Sequence, residues 1–182
     1  MQPARQDLRV TPGATYRDTI RIMQPDFAYR AITGIAGAPV VLTVPGHGLD
    51  ADWPVWVRGA QGMPDLNREP GRQLPHRARL IDVDTLEINN LSASALKPAG
   101  GELVYHLPVN LADAEAFFRI YSGTKLVLEL GLGAGLALVS AGTLTRKMTA
   151  EQTAQFSAGG FSYTFDVHYP GVVTRYFEGD LV

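Results

Sequence analysis

Histidines are the first residues whose chemistry could bind a metal ion or transfer a proton. His47, His76, His106 and His168 are the four in the chain, and none has another histidine at metal-ligand spacing. The chain has no cysteine, which excludes disulfides, thiolate metal sites and cysteine nucleophiles. We therefore predict that the His47 ring binds nearby backbone in a structural role. We expect His168 to lie on the wet face of a strand.

Two further patterns resemble parts of catalytic or cofactor sites. Asp82 and Asp84 are two residues apart near a turn, so a strand would place both carboxylates on one face. Acid–base catalysis needs a cleft and unequal environments, so the pattern favours turn carboxylates that bind backbone amides over a catalytic pair or a calcium site. The glycine-rich segment 131–135 lacks the third glycine of a dinucleotide loop and precedes a strand, which indicates an inter-strand loop.

Positive charge concentrates between residues 68 and 79, partly offset by acidic residues at 65 and 69. The basic residues of this segment are Arg68, Arg72, His76, Arg77 and Arg79. Such a cluster is either a solvated loop or a contact for phosphate or an acidic protein surface. Because arginine is enriched at protein interfaces, we predict that this segment is a docking loop.

Four aromatic residues are candidates for contact surfaces. Trp53 and Trp56 flank the start of a predicted strand, where we expect Trp56 in a core and Trp53 partly exposed. An exposed tryptophan can anchor a protein interface or stack on a sugar. Phe117 and Tyr121 alternate with apolar residues on their strand and are predicted to face outward.

The elements that position these residues are short strands. Hydrophobic residues make up 46% of the chain and charged residues 19%, which is typical of a globular protein. The 19 glycines and 12 prolines favour many short strands separated by turns. The clearest strand is Phe161–Tyr169, with strict alternation of aromatic or aliphatic and polar residues. Thr149 and Gln152 have the spacing of a capping box, which predicts one short helix.

Net charge is −2, so no global field attracts nucleic acid or an anionic membrane. The longest apolar stretch, 126–139, contains Glu129 and is too short to span a bilayer. The N-terminus is polar and has no signal-peptide core. We therefore expect a soluble protein that is made in the cytoplasm and binds neither nucleic acid nor membrane.

One series of motifs occupies both ends of the chain. Its members are a strand at 15–22 followed by Pro25 and Asp26, the turn at 110–113 before Phe117 to Ile120, the helical turn at 149–153, the strand Phe161–Tyr169 and the last four residues. In this order the series resembles the immunoglobulin-like domain of phage baseplate upper proteins and related prophage tail proteins. The resemblance covers about residues 8–29 and 109–182 and implies a docking module of a phage particle.

A second series occupies the middle of the chain. It consists of His47-Gly48-Leu49, the segment 62–67 (GMPDLN) and the segment 82–88 (DVDTLEI). This series resembles a small β-barrel common in phage particle proteins, which is similar to the first catalytic-cysteine half-domain of ubiquitin-activating enzymes. Residues 68–76 form a longer and more basic link than that family has. The enzyme chemistry does not transfer, because it needs partner domains and this chain has no cysteine.

Together these patterns predict an all-β fold. It comprises an Ig-like β-sandwich (1–30 and 108–182), an inserted small β-barrel (31–107) and one short helix. The expected function is that of a structural component of a tailed-phage virion, in the tail or baseplate, that docks to other proteins without catalysis, metal or cofactor. A capsid decoration or neck position is one alternative, and a carbohydrate-binding module is another.

The expected partners are other virion proteins and further copies of this chain, in a trimer or ring. The expected location is the virion, after synthesis in the cytoplasm of a host bacterium. A glycan is the partner in the carbohydrate-binding alternative, with Trp53 as its platform. The interface candidates are Trp53, Arg68, Arg72, Arg77, Arg79, Phe117 and Tyr121.

Overall fold

The structure is a computed structural model that describes residues 2–182. The described residues form fifteen strands and one α-helix, so the predicted all-β class is confirmed. The strands are β1 (Ala4–Arg5), β2 (Tyr16–Arg21), β3 (Met23–Ala31), β4 (Gly34–Ala36), β5 (Val40–Thr43), β6 (Trp53–Arg58), β7 (His76–Asp82), β8 (Thr85–Ile88), β9 (Glu102–Pro108), β10 (Glu115–Ser122), β11 (Lys125–Leu132), β12 (Gly135–Ser140), β13 (Thr143–Met148), β14 (Phe161–Tyr169) and β15 (Val172–Asp180). The helix α1 is Ala150–Ala154, and a 3₁₀ turn forms at Pro64–Leu66.

The chain divides into two compact units. The outer unit combines the residues up to Ile22 with Val109–Val182, and the inserted unit is Met23–Pro108. The first boundary lies after Ile22 rather than at residue 30, because β3 pairs with β9 from Met23 to Ala31. Residues 23–30 therefore belong to the inserted unit.

The outer unit contains one curled sheet with the strand order β1-β15-β14-β10-β11-β12-β13-β2. β11 and β12 pair only at positions 131–132 and 135–136, where the glycine-rich segment makes a tight crossing. This crossing divides the sheet into a five-stranded and a three-stranded leaf, which together form a β-sandwich. The leaves face each other, since the guanidinium of Arg146 on β13 lies 4.1 Å from the ring centroid of Phe118 on β10.

The strand β14 confirms the alternation predicted for it. Phe161, Tyr163, Phe165 and Val167 are buried in the sandwich core. Asp166 is also buried, although it points to the other face, because Arg175 covers it and binds its carboxylate at 2.8 Å. The strand therefore has one apolar face in the core and one polar face held by ion pairs.

Gly179 lies opposite Tyr163 on β14, away from the irregularity between β14 and β15. The register between β14 and β15 shifts opposite Phe165 and Asp166, which leaves Tyr176 as the extra residue. Gly179 instead allows the N-terminal segment to approach, because a Cβ there would clash with the carbonyl oxygen of Gln6. Its function is close backbone contact rather than a change of register.

The short helix α1 begins with the predicted capping box. The Thr149 hydroxyl accepts a hydrogen bond from the Gln152 amide at 3.2 Å, and the Thr149 amide donates to Gln152 Oε1 at 2.8 Å. The Thr153 hydroxyl donates to the carbonyl of Ala14 at 2.8 Å, which anchors the helix to the segment before β2. None of the helices in the described part of the chain is long and apolar enough to cross a membrane.

The inserted unit contains a second curled sheet with the order β3-β9-β6-β7-β8-β5-β4. β3 ends at Ala31 and β4 begins at Gly34, so two residues connect the two outermost strands. Two residues span only about 10 Å, so the sheet must curl until its edges approach. The enclosed core contains Trp53, Leu42, Leu86 and Tyr105, each almost completely buried.

Candidate docking surface

The inserted unit presents aromatic side chains on the outer face of β3, β9 and β6. Phe27 of β3 is paired with His106 of β9, while Tyr29 and Trp56 flank Val104 in the next row. Successive side chains of a strand point to opposite faces, so these residues lie away from the barrel core. Phe27, Tyr29, Trp56 and His106 are named here the aromatic face. Val104 is completely buried beneath them.

The rings of the aromatic face hold one another in place. Phe27 stacks on His106 with 3.9 Å between ring centroids. Trp56 meets Phe27 edge-on at 5.9 Å and His106 at 6.2 Å. Tyr29 lies 6.4 Å from Phe27 and remains 48% exposed. Mutually packed aromatic rings lose little conformational entropy on binding, so this surface is ordered in advance of any contact.

Residues 67–75 form a loop beside the aromatic face, named here the arginine loop. The Trp56 indole N–H donates to the carbonyl of Gln73 at 2.8 Å. Within the loop, Arg68 Nη1 donates to the carbonyls of Leu74 at 3.0 Å and Pro75 at 3.1 Å. These bonds fix the loop while leaving the Leu74 side chain 83% exposed at its surface. Leu74 therefore displays an apolar side chain one residue after the Gln73 carbonyl that Trp56 binds.

The structure distributes the four predicted arginines over two elements. Arg68 and the exposed Arg72 lie in the arginine loop, whereas Arg77 and Arg79 lie on the outer face of β7. Arg79 is neutralised by Glu87 of β8 through two hydrogen bonds, each of 3.0 Å. Arg77 makes no ion pair with any residue between 2 and 182. The sequence cluster is thus not a single patch of free positive charge.

The predicted positions of the two tryptophans are reversed in the structure. Trp53 is 1% exposed and its indole N–H donates to the carbonyl of His106 at 2.7 Å, so it is a core residue and not an exposed anchor. Trp56 is the partly exposed one. The reason is strand alternation, because Trp53 shares its face with the completely buried Val55 and Val57. The same period of two in the sequence could have identified the exposed residue.

Phe117 and Tyr121 lie on the outer face of β10 in the outer unit, both partly covered. The Phe117 ring contacts His168 at 4.8 Å and the guanidinium of Arg119 at 4.5 Å. Arg119 in turn binds Glu129 at 2.6 Å. Phe117 is therefore one of a row of side chains that contact each other across neighbouring strands. Its side chain is less exposed than that of Tyr29 in the aromatic face.

His47 and the two aspartates have structural roles in the barrel. The amide of Leu49 donates to His47 Nδ1 at 3.1 Å, so Nε2 carries the ring hydrogen and donates to the carbonyl of Asp82 at 2.9 Å. Asp82 accepts from the Asp84 amide, which holds the pKa of that carboxyl below its usual range. Asp84 accepts from the Gly46 amide at 2.8 Å. No group of three or more acidic or histidine side chains within residues 2–182 is arranged to hold a metal ion.

The aromatic face and the arginine loop combine the two kinds of contact that concentrate binding energy in protein interfaces. Rigid aromatic rings and exposed apolar side chains supply buried area, and arginines supply directed hydrogen bonds at the rim. Phe27 and Tyr29 were not among the sequence candidates, although they alternate with the buried Ala28. No protein-family model matches the chain, and no curated protein gives a significant match.

Proposed function

We propose that this chain is a structural protein of a tailed-phage virion, in the tail or baseplate, that docks to a neighbouring virion protein. The observation that carries the docking proposal is the preorganised aromatic face bordered by the arginine loop. The resemblance of both parts of the sequence to phage particle proteins supports the virion assignment. The all-β architecture is compatible with a docking role, in which rigid sheets present fixed surfaces.

The partner's chemistry follows from the surface. Tyr29 and Leu74 offer exposed apolar contact, and the exposed Arg72 lies two residues before Leu74 in the arginine loop. The complementary surface is an apolar side chain flanked by aspartate or glutamate on the partner protein, since arginine binds carboxylates through paired hydrogen bonds. Copies of this chain then occupy equivalent positions in a symmetric particle, as a trimer or ring.

Mass spectrometry of density-gradient-purified particles tests the virion assignment. Quantification against the major capsid protein should give roughly tens of copies per particle for a tail or baseplate protein, because these structures have low-order symmetry. Copies numbering in the hundreds would indicate the alternative position, a capsid decoration. Absence from the particles would contradict the assignment.

Variants of the exposed residues test the docking surface. A chain with Tyr29→Ala and Leu74→Ala should fold normally and fail to enter particles, because both side chains are exposed and no core contact is lost. Val83→Ala is the matched control, since Val83 is 72% exposed at the β7–β8 turn of the same unit. Normal incorporation of the double variant, measured by the same mass spectrometry, would show that docking uses another surface.

A glycan-binding function is the second candidate, favoured by the exposed Tyr29 ring. Trp53 cannot be the sugar platform because it is buried. Trp56 offers only part of its surface, since Phe27 packs against its ring and its N–H is bound to Gln73. Binding on a glycan array that is reproducible and lost on Tyr29→Ala would favour this candidate over protein docking.

A further inference from the structure

A cleft of about 200 Å³ lies where β7 begins and β8 ends. The residues that line it are Arg68, Pro75, His76, Arg77, Asn89 and Asn90. β7 and β8 are antiparallel with Ala78 opposite Ile88, so continuing the register brings Asn89 next to Arg77. The cleft therefore gathers side chains from the arginine loop and from the open end of this hairpin. None of its lining residues is acidic.

His76 is the buried member of the cleft, with 1% of its surface exposed. Its Nε2 lies 2.9 Å from the carbonyl oxygen of Leu66. A carbonyl only accepts, so Nε2 carries the ring hydrogen. The buried Nδ1 has no hydrogen-bond partner within residues 2–182. Buried polar atoms are rarely left unsatisfied, which makes this nitrogen a sign of an additional partner.

Two arginines give the cleft its positive charge. Arg68 is oriented by the carbonyls that Nη1 binds, which leaves Nε and Nη2 for another acceptor. Arg77 has no ion-pair partner in the described chain, in contrast to Arg79 two residues later on the same strand face. The side-chain amides of Asn89 and Asn90 can add neutral donors. Fixed guanidinium and amide donors with no competing carboxylate are the requirements of an oxyanion site.

We propose that this cleft binds an oxyanion, either a carboxylate or a phosphate, through Arg68, Arg77 and the asparagine amides. His76 Nδ1 takes up one proton from solvent when the anion binds, and the new N–H donates to an anion oxygen. The proton satisfies the nitrogen that is otherwise unpartnered. The site does not depend on the virion assignment, because every group that forms it belongs to the inserted unit.

The proton uptake gives the binding a definite pH dependence. Burial and the positive charge of Arg68 lower the pKa of His76, so the ring is neutral at pH 7 in the free protein. Arg77 adds a second positive charge at the cleft. A bound anion opposes both effects and raises the pKa of the ring. Affinity for an anion whose own charge does not change should therefore rise as the pH falls from about 8 to about 6, with proton uptake on binding.

Nuclear magnetic resonance of the ¹⁵N-labelled full chain tests the site with two probes, inorganic phosphate and acetate. Both anions should shift the His76 ring signals and the side-chain amides of the asparagines. Acetate keeps the same charge from about pH 8 to about pH 6, so it measures the pH dependence and should bind more tightly at the lower pH. Phosphate gains a proton in this range, so its affinity is compared with that of acetate at one pH. Binding of phosphate alone would identify a phosphate site. Binding of acetate as well or alone would show that the site accepts a carboxylate, the group that an acidic side chain of a protein partner presents. Binding of phosphate alone, of acetate alone or of both anions supports an oxyanion site.

Arg77→Ala and Arg79→Ala form a matched pair for this test. Both arginines are on the outer face of β7, but only Arg77 lines the cleft. Arg77→Ala should weaken anion binding about tenfold, the usual effect of losing a charged hydrogen bond. Arg79→Ala should change the anion affinity by no more than about twofold, because Glu87 already neutralises the charge of Arg79. Absence of any shift with both anions, or equal weakening by the two substitutions, would overturn the proposal.

Discussion

The ion pair between Arg146 and Asp18 in the sandwich core makes a sharp stability prediction. Arg146 Nε and Nη2 donate to the two carboxylate oxygens of Asp18 at 3.0 and 2.5 Å. The Arg146 side chain is 3% exposed, and the rings of Phe118 and Tyr163 lie 4.1 and 5.9 Å from its guanidinium. The Asp18 side chain is 29% exposed and also accepts from the Tyr16 hydroxyl. The two partners are therefore unequally buried.

This inequality predicts unequal effects of removing each partner. Asp18→Ala leaves a guanidinium that cannot lose its proton in an apolar core, and breaking a buried pair costs about 3–5 kcal/mol. Because water reaches the pair at Asp18, we expect the lower end, about 3 kcal/mol of unfolding free energy. Arg146→Met fills the space between the rings and leaves a carboxylate that reaches water, at a cost of about 1–2 kcal/mol. The variant that carries both Asp18→Ala and Arg146→Met should have nearly the same unfolding free energy as Arg146→Met alone.

Unfolding in guanidinium chloride, followed by far-UV circular dichroism, measures the unfolding free energy of each variant. Tryptophan fluorescence is unsuitable, because Trp53 and Trp56 both lie in the inserted unit and the substitutions lie in the outer one. Arg5→Ala is the control, since Arg5 forms an exposed pair that should contribute no more than about 1 kcal/mol. The reasoning is refuted if Arg146→Met destabilises more than Asp18→Ala, or if the double variant shows the sum of the single effects.

Three further substitutions test local features of the fold by thermal or denaturant unfolding. Gly179→Ala should destabilise the outer unit by about 1–3 kcal/mol, because the added methyl group meets the backbone of Gln6; an unchanged midpoint would contradict this. Trp53→Phe should cost about 1–3 kcal/mol, since the carbonyl of His106 loses a buried donor, whereas an effect below measurement error would mean that water replaces the indole. Thr149→Ala should cost about 1 kcal/mol through loss of the helix cap, and rescue by Thr149→Ser would assign that loss to the hydroxyl.

Features determined by neighbouring residues could be predicted from the sequence. The alternation in Phe161–Tyr169 identified the buried face of β14, because a strand's period of two is visible within nine residues. The capping box at Thr149 involves side chains and amides only three residues apart. The bond of His47 to the Leu49 amide and that of Asp82 to the Asp84 amide also follow from the sequence, because each joins residues only two apart.

Features that depend on strand pairing could not be predicted in the same way. The boundary after Ile22 depends on β3 pairing with β9, which lies more than seventy residues further along the chain. The aromatic face was missed for the same reason, since Phe27 and His106 meet only through the β3–β9 register.

The arginines show how sequence clustering and chemical availability differ. Arg77 and Arg79 are equivalent in the sequence, being two residues apart in one basic segment and on one strand face. Pairing with β8 places Glu87 opposite Arg79, whereas the strand has already ended opposite Arg77, where Asn89 follows. One arginine is thereby neutralised and the other is left beside a buried histidine nitrogen without a partner. The register of a single hairpin thus determines which positive charge of the segment is free to bind an anion.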